Sequence, residues 1–355
     1  MYTIDGLFLT QRITGIQRYA YELCLEIDKL ITPNEIELLV PANIEAEFET
    51  NIPQYNNIKV IRYGKHGGIK WQQIDLARYL KKNKREGIFL TNILPLMCPR
   101  GIMTIHDVSY KANPDFFTSK RDRVSALWHR LNYWWAAKSK IQILTDSEFS
   151  KEEIKKYYHI KESRIHIVYV GWQHMQRINA STDTFDKYSM LKENEYYFAM
   201  STLAPNKNFK WIMEAAKQNP NQIFAIAGGG ALKENEEAQQ IKNLHLLGYV
   251  SDEDAKTLMK NCKAFLFPTL YEGFGMPPLE AIVCGAKQII VSDTPCMREV
   301  YGEHATYISP KEYTRIDLSK LDCLDKVHNY KPLLDKYSWK VSAKKILAII
   351  FDRQY

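Results

Sequence analysis

The sequence predicts an α/β protein built on two doubly wound, mostly parallel sheets, and three observations carry that expectation. A chain of 355 residues is too long for one ordinary core and fits two domains. Short apolar runs alternate with segments of helical spacing along its whole length, as strands and crossover helices do when they build a parallel sheet covered on both faces. The alternation breaks once, in the polar, aperiodic stretch 181–194, and then restarts. The expected organisation is an N-terminal domain over 1–175, a linker over 176–194, a second domain over 195–336 and a C-terminal helix over 337–355.

Residues 2–5 read as the first strand. After it, Gln11-Arg-Ile-Thr14 leads into Gly15-Ile-Gln-Arg-Tyr-Ala-Tyr-Glu-Leu, where apolar positions 16, 19, 23, 27 and 30 have helical spacing and Thr14 with Gln17 makes a capping box. The free N–H groups of that first turn, with Gly15, suit an anion such as a phosphate, although a capped helix with nothing bound would read the same. Further strands are expected at 36–40, 58–63, 87–92, 101–107, 141–147 and 164–171. Ligands collect at the carboxyl ends of such strands. His106-Asp107 and Ser147-Glu148 each end one, so they are candidate site residues, with Asp107 placed to orient the His106 ring.

The stretch 119–140 differs in kind. Apolar residues at 124, 127, 128, 131, 134 and 135 form a helical stripe flanked by Lys120, Arg121, Arg123, Arg130, Lys138 and Lys140. Such a stripe either packs on a sheet or lies at a membrane surface with its tryptophans at headgroup depth. In the second half, strands are expected at 196–201, 223–228, 244–249, 264–267, 288–292 and 306–308. Gly228-Gly-Gly230 follows a strand, but its spacing is wrong for a dinucleotide fingerprint and no acidic residue ends the next strand, which argues against an NAD enzyme. Trp339, Ala343, Ile346 and Ile350 have the spacing of a last amphipathic helix.

Composition narrows the function classes. The apolar and charged fractions, 45% and 25%, are those of a globular protein. No apolar run is long enough to span a bilayer and Met1-Tyr-Thr-Ile-Asp5 lacks the features of a signal peptide, so a cytoplasmic protein is expected. The six cysteines, Cys323 among them, fall in no metal-ligand spacing and read as reduced structural thiols, with no metal site. The net charge of +7 sits in the first half: residues 1–190 carry 27 Lys+Arg against 21 Asp+Glu. That favours an anionic partner there. No nucleic-acid-binding motif accompanies the excess, so nucleic acid is not expected.

The most informative stretch is Ala264-Phe-Leu-Phe-Pro-Thr-Leu-Tyr-Glu-Gly-Phe-Gly-Met-Pro-Pro-Leu-Glu-Ala-Ile-Val-Cys-Gly285. A buried strand passes through a glycine loop into a helix begun by Pro277 and Pro278 and ended by Gly285. Glu272 lies in the loop and Glu280 in the first turns, with Gly273 and Gly275 between them. Glycines let a ligand approach the backbone, and a carboxylate near a helix N-terminus stays ionised and accepts from a vicinal diol. The unit reads as a pocket for a polyhydroxylated molecule.

Glu272-Gly-Phe-Gly-Met-Pro-Pro-Leu-Glu280 resembles the signature of the retaining nucleotide-sugar glycosyltransferases of family GT4, and the likeness continues through Gly285 and Pro295 to Glu299 and Ala305-Thr-Tyr-Ile-Ser-Pro310. The resemblance implies the GT-B architecture, two Rossmann-like domains facing across a cleft, with the last helix crossing back to the first. It implies a nucleotide-diphosphate sugar as donor, of the GDP-mannose, UDP-hexose or dTDP-rhamnose type, and no cofactor or metal. Lys207, in Ser201-Thr-Leu-Ala-Pro-Asn-Lys-Asn208, matches a diphosphate-binding lysine, with Asn206 beside it. Thr202 stands where an Arg is usual, as in polysaccharide-assembly members, leaving Arg12, Arg18 or Arg298 as the second cation. By the same resemblance the diphosphate lies near Gly15, the base at Tyr249 and Val250, and the donor along Gly273, Phe274 and Gly275. Glu272 would position the sugar, Glu280 the ribose, and His106 would donate to a sugar hydroxyl, with Asp107 and Ser147 on the acceptor side.

The implied acceptor is an oligosaccharide on a growing, lipid-linked cell-surface polysaccharide, with an anionic membrane surface as a further partner. Two other readings stay open. Glu272 and Glu280 could serve a glycoside hydrolase as acid and nucleophile, or Thr202 could mark a nucleotide-sugar-binding protein with a degenerate site.

Overall fold

The computed structural model describes residues 1–229, 234–321 and 329–352; Gly230 and Cys323 lie outside them. The chain forms two compact units, Met1–Gly171 with Ser338–Tyr355, and Trp172–Tyr337.

The first unit holds the strands β1 (Tyr2–Asp5), β2 (Ile36–Pro41), β3 (Lys59–Tyr63), β4 (Glu86–Phe89), β5 (Gly101–Thr104), β6 (Gln142–Thr145) and β7 (Ile165–Ile167). They pair in parallel in the order β3-β2-β1-β4-β5-β6-β7, with Tyr2 opposite Ile36 on one side and Glu86 on the other. The second unit holds β8 (Tyr196–Met200), β9 (Ile223–Ala227), β10 (Leu244–Gly248), β11 (Ala264–Phe267), β12 (Ile289–Ser292) and β13 (Thr306–Ile308). Their order, β10-β9-β8-β11-β12-β13, winds outward in both directions from β8 and β11, the doubly wound arrangement in which ligands sit beyond the carboxyl ends of the two inner strands.

Helices that bear on function are α1 (Gly15–Asp28), α2 (Lys120–Lys138), α3 (Glu148–Tyr158), α4 (Phe209–Gln218), α5 (Asp252–Lys260), α6 (Met276–Cys284), α7 (Pro295–Tyr301) and α8 (Trp339–Phe351). The Thr14–Gln17 capping box starts α1 as expected. Each sheet buries its strands against helices. Trp71, Leu80, Phe89, Ile143 and Ile154 share one core, and Trp211, Phe224, Leu266 and Ile290 share another. Cys24, Cys262, Cys284 and Cys296 are buried free thiols, and burial pushes the first three well above the usual thiol range.

Helix α8 belongs to the first unit and packs on α1. Trp339, fully buried, meets Tyr19 edge-on with ring centroids 5.9 Å apart, Ser342 donates to the Tyr169 carbonyl at 2.6 Å, and Tyr2 donates to the Ile350 carbonyl at 2.8 Å. Burying a tryptophan and the aliphatic residues Ile346 and Leu347 is worth about 2 kcal/mol for each side chain, which fastens the last helix to the first unit. The polar segment 176–194 runs within the second unit. Thr184 and Lys187 bond Asp254 on α5 at 2.7 and 3.3 Å, and Asn194 N–H reaches the Asn261 carbonyl at 2.8 Å.

The stripe on α2 points outward. Ala126, Asn132, Tyr133 and Ala136 form the buried face, while Val124, Leu127, Leu131 and Trp134 are 70%, 68%, 41% and 48% exposed. Arg164 closes the C-terminal end of the helix by donating to the carbonyls of Ala136, Ala137 and Ile141 at 2.8, 3.0 and 2.7 Å.

Asp5, at the end of β1, is 1% exposed. A turn of π-helix over Trp71–Leu76 brings the Gln72 amide to its carboxyl, and Leu7 N–H donates to Oδ1 at 3.1 Å. Burial outweighs both bonds and pushes the carboxyl up to about 6. A folded pKa above the unfolded 3.8 means that ionisation opposes folding: the cost is absent below pH 3.8, grows through the window to pH 6, and reaches on the order of 3 kcal/mol above it. Asp5→Asn keeps the acceptor and offers an N–H to Gln72 Oε1, which is buried without a partner among the described residues. The expected outcome is a higher denaturation midpoint than the parent at pH 8, with the margin closing toward pH 4. An equal margin at both pH values would show that folding leaves the Asp5 pKa where it stands in the unfolded chain.

Candidate functional site

In the second unit the chain must turn from β11 into α6. Gly275 closes the turn at φ +83, in the left-handed region that favours glycine. Pro277 and Pro278 occupy the first turn of α6, where a missing N–H costs nothing. Tyr301 on α7 ties the turn together: its buried hydroxyl accepts from Leu279 N–H at 3.1 Å and donates to the Gly275 carbonyl. Phe274 is buried too and packs edge-on against Tyr337 with centroids 5.0 Å apart. Its ring anchors the loop from beneath.

The loop after β8 lies alongside. Leu270 N–H donates to the Asn206 carbonyl at 2.7 Å, and Asn208, itself at φ +54, donates to the carbonyls of Pro268 and Pro310, both at 2.8 Å. This stitching brings Lys207 Nζ to Glu272 Oε1 at 2.8 Å, both side chains partly exposed. The two residues come from the loops that follow β8 and β11, the neighbouring strands at which the winding reverses. Thr202 is exposed, and its hydroxyl accepts from Ala204 N–H at 3.2 Å, a turn-forming bond. Arg298 holds Asp293 with two bonds, at 2.7 and 2.9 Å, and stacks over Tyr307 at 3.6 Å; those partners occupy the cation that the sequence offered as a second diphosphate ligand. Tyr249 is 72% exposed beyond the end of β10, and Val250 beside it is buried.

Glu280 accepts from His174 Nε2 at 2.9 Å. The structure thus gives each glutamate of the loop a partner of its own, Lys207 for Glu272 and His174 for Glu280.

In the first unit, His106 lies just beyond β5, 7% exposed. Its Nδ1 meets Asp146 Oδ2 at 2.7 Å and its Nε2 meets the Leu90 carbonyl at 3.1 Å, while Tyr19 packs edge-on at 4.7 Å. Burial pulls the ring's pKa down, but the Asp146 carboxylate and these hydrogen bonds outweigh it and hold the ring above its usual value. Both ring nitrogens are therefore committed to protein acceptors, which leaves neither N–H for a sugar hydroxyl in this conformation. Asp107 does not orient the ring. Its carboxylate accepts from Ser109 N–H at 2.7 Å, and Asp146 does the orienting. Ser147 is the N-cap of α3, accepting from Ser150 N–H at 3.0 Å, and Gly15 begins α1 at an exposed position.

Sequence reading missed Asp146, His174 and Tyr301. Asp146 ends the β6 region beside Ser147, so an acidic residue at a strand end was a usable signal. His174 and Tyr301 carried none, because each acts across more than twenty residues of sequence.

Residues 181–320 match the family described as glycosyl transferases group 1. The chain is 26% identical over 342 residues to the O-antigen chain mannosyltransferase B of Escherichia coli, covering 88% of this chain and 87% of that protein. Its fold is similar to sucrose-phosphate synthase from Thermosynechococcus elongatus (TM-score 0.71, 13% identity, 99% and 98% of the two chains). It is also similar to the Anabaena protein HepE in complex with UDP and glucose (TM-score 0.62, 15% identity, 99% and 97%). The stretch 181–320 is accordingly a GT4-type glycosyl transferases group 1 domain, and the protein that carries it is a glycosyltransferase of the GT-B fold.

Proposed function

We propose that the protein moves a hexose, mannose first among the candidates, from a nucleotide-diphosphate sugar to a hydroxyl of a growing, lipid-linked cell-surface polysaccharide, with retention of anomeric configuration. The observation that carries this reading is the Lys207–Glu272 pair at 2.8 Å, a cation and a carboxylate side by side where the second sheet reverses its winding. The difficult step is departure of the diphosphate as positive charge builds on the sugar ring. Lys207 would hold that departing charge, and preorganised groups of this kind supply much of the catalysis. Glu272 would fix the sugar hydroxyls and restrain Lys207, Glu280 would accept from the ribose diol, and the exposed end of β10 at Tyr249 would carry the base. In the first unit the N-terminus of α1 at Gly15 is a place for an anion. The leaving phosphate would take the acceptor proton, and the reaction is proposed without metal or other cofactor.

The E. coli relative is named for mannose and an O-antigen chain, which supports GDP-mannose and a polysaccharide acceptor. HepE holds UDP and glucose, which supports a nucleotide sugar in general. A thermal-shift panel of GDP, UDP and dTDP with their sugars separates the candidates, since a ligand at 100 times its Kd stabilises by about 2.7 kcal/mol. GDP and GDP-mannose are expected to give the largest shift. No shift with any of the six would overturn the donor reading.

Lys207→Ala should lower kcat by a factor on the order of 10²–10³. Turnover within a few fold of the parent would mean that the diphosphate is held elsewhere.

We further propose that the enzyme works peripherally on an anionic membrane through the outward face of α2. Met97 is 81% exposed beside Leu131 and Trp134, and Leu96, Met97, Pro99, Leu131, Trp134 and Trp135 line an apolar groove of about 530 Å³. Lys120, Arg121, Arg123, Lys138 and Lys140 are all exposed on the same helix and its ends. An apolar face rimmed by cations matches a bilayer that offers acyl chains and anionic headgroups, each basic residue being worth about 1 kcal/mol at the surface. Cosedimentation with phosphatidylglycerol vesicles should be salt-sensitive, and changing Lys120, Arg121 and Arg123 to Glu together should weaken it on the order of a hundredfold. Binding that is absent at low salt, or indifferent to the triple substitution in a folded protein, rejects this face as the contact.

A further inference from the structure

The turn Gln173–Arg177 buries a histidine that the chemistry above does not use. His174 is 2% exposed, and its Nε2 lies 2.9 Å from Glu280 Oε1. An ionised carboxylate only accepts, so the ring donates from Nε2.

The turn is fixed from several directions. Trp172 Nε1 donates to the Leu334 carbonyl at 2.9 Å, Gln173 Nε2 to the Tyr337 carbonyl at 3.1 Å, and Lys256 Nζ on α5 to the carbonyls of Met175 and Ile178 at 2.8 and 2.7 Å. The other partner is fixed as well, because Glu280 stands on α6, whose start Tyr301 braces. The helix dipole alone would favour an acidic residue there, but a dipole does not choose a rotamer. A buried N–H donor does. With Oε1 taken, the described residues make no hydrogen bond to Oε2, so one oxygen is locked and the other is left to accept.

We propose that His174 is a positioning residue for the donor: by holding Oε1 it sets Glu280 so that Oε2 meets the ribose diol of the nucleotide. This rests on the reading of Glu280 as the diol's partner.

Calorimetric titration with GDP and with 2′,3′-dideoxy-GDP, alongside steady-state kinetics with GDP-mannose, tests it. His174→Phe keeps an aromatic ring and removes the donor; it is expected to raise the GDP Kd and donor KM about tenfold, with kcat changed by no more than a few fold. His174→Gln places an amide N–H near the same point and is expected to recover most of that loss. Affinity for the dideoxy nucleotide should not respond to either change, and His174→Phe should add nothing in a Glu280→Ala background.

Equal weakening of both nucleotides, failure of Gln to recover binding in a folded protein, or full additivity with Glu280→Ala would each overturn the proposal and leave His174 a packing residue. If Glu280→Ala itself leaves GDP affinity unchanged, the assignment of Glu280 falls first. If Glu280→Ala weakens binding while His174→Phe does not, only the role of His174 is lost.

Discussion

The second unit depends on where its sheet reverses direction. β8 and β11 are hydrogen-bonded neighbours, yet the chain winds away from β8 through β9 and β10 before returning to β11. Loops leaving the carboxyl ends of two such strands turn to opposite sides of the sheet and open a crevice between them. Each loop here is short and braced by backbone bonds, Leu270 to Asn206 and Asn208 to Pro268. Lys207 and Glu272 meet as a consequence of topology, and a change of strand order would separate them however well each loop were preserved.

Charge burial is handled in a consistent way across both units. An isolated ionised group in a dry interior is costly, and proteins pair it or let it go neutral. His106 is paired with Asp146, His174 with Glu280, and Asp254 with Lys187 and Thr184. Asp5 has only neutral donors, so burial raises its pKa instead. The pairings also immobilise side chains near strand ends and helix starts, where a disordered carboxylate would have to be ordered each time a ligand bound. Preorganisation of this sort shifts an entropic cost from binding to folding.

The outward face of α2 runs against the usual economy of a globular surface. Four large apolar residues on it, Val124, Leu127, Leu131 and Trp134, stay exposed, as does Met97 in the loop before β5, while Asn132 and the Tyr133 ring are buried. The inversion has a local cause. Asn132 accepts from Leu94 N–H at 3.2 Å and donates to the Trp128 carbonyl at 3.0 Å, so a polar residue on the inner face satisfies backbone groups that a leucine would strand. The large side chains are then left on the outer face, among the basic residues.

The sequence by itself determined the class of fold and the local chemistry, because both follow from spacing along the chain. Short apolar runs reported the strands, and periods of three to four residues reported the helices. The Thr14–Gln17 box and the Pro277, Pro278 and Gly285 punctuation reported helix ends, and the Glu272–Glu280 signature reported the family. Tertiary structure decided whatever depends on residues far apart in sequence. Periodicity marked the stripe on α2 without saying which face of the helix meets the sheet, since an amphipathic pattern has no sign until its partner is known. It placed His106 at a strand end, but the acceptors of its ring nitrogens, Asp146 and the Leu90 carbonyl, arrive just after β6 and just after β4. It set Glu272 and Glu280 in one loop and helix as a matched pair, whereas the fold supplies each from a different element, a lysine after β8 and a histidine before it. Hydrogen bonds between side chains are made at about 3 Å in space whatever their separation along the chain, and only the folded backbone sets those distances.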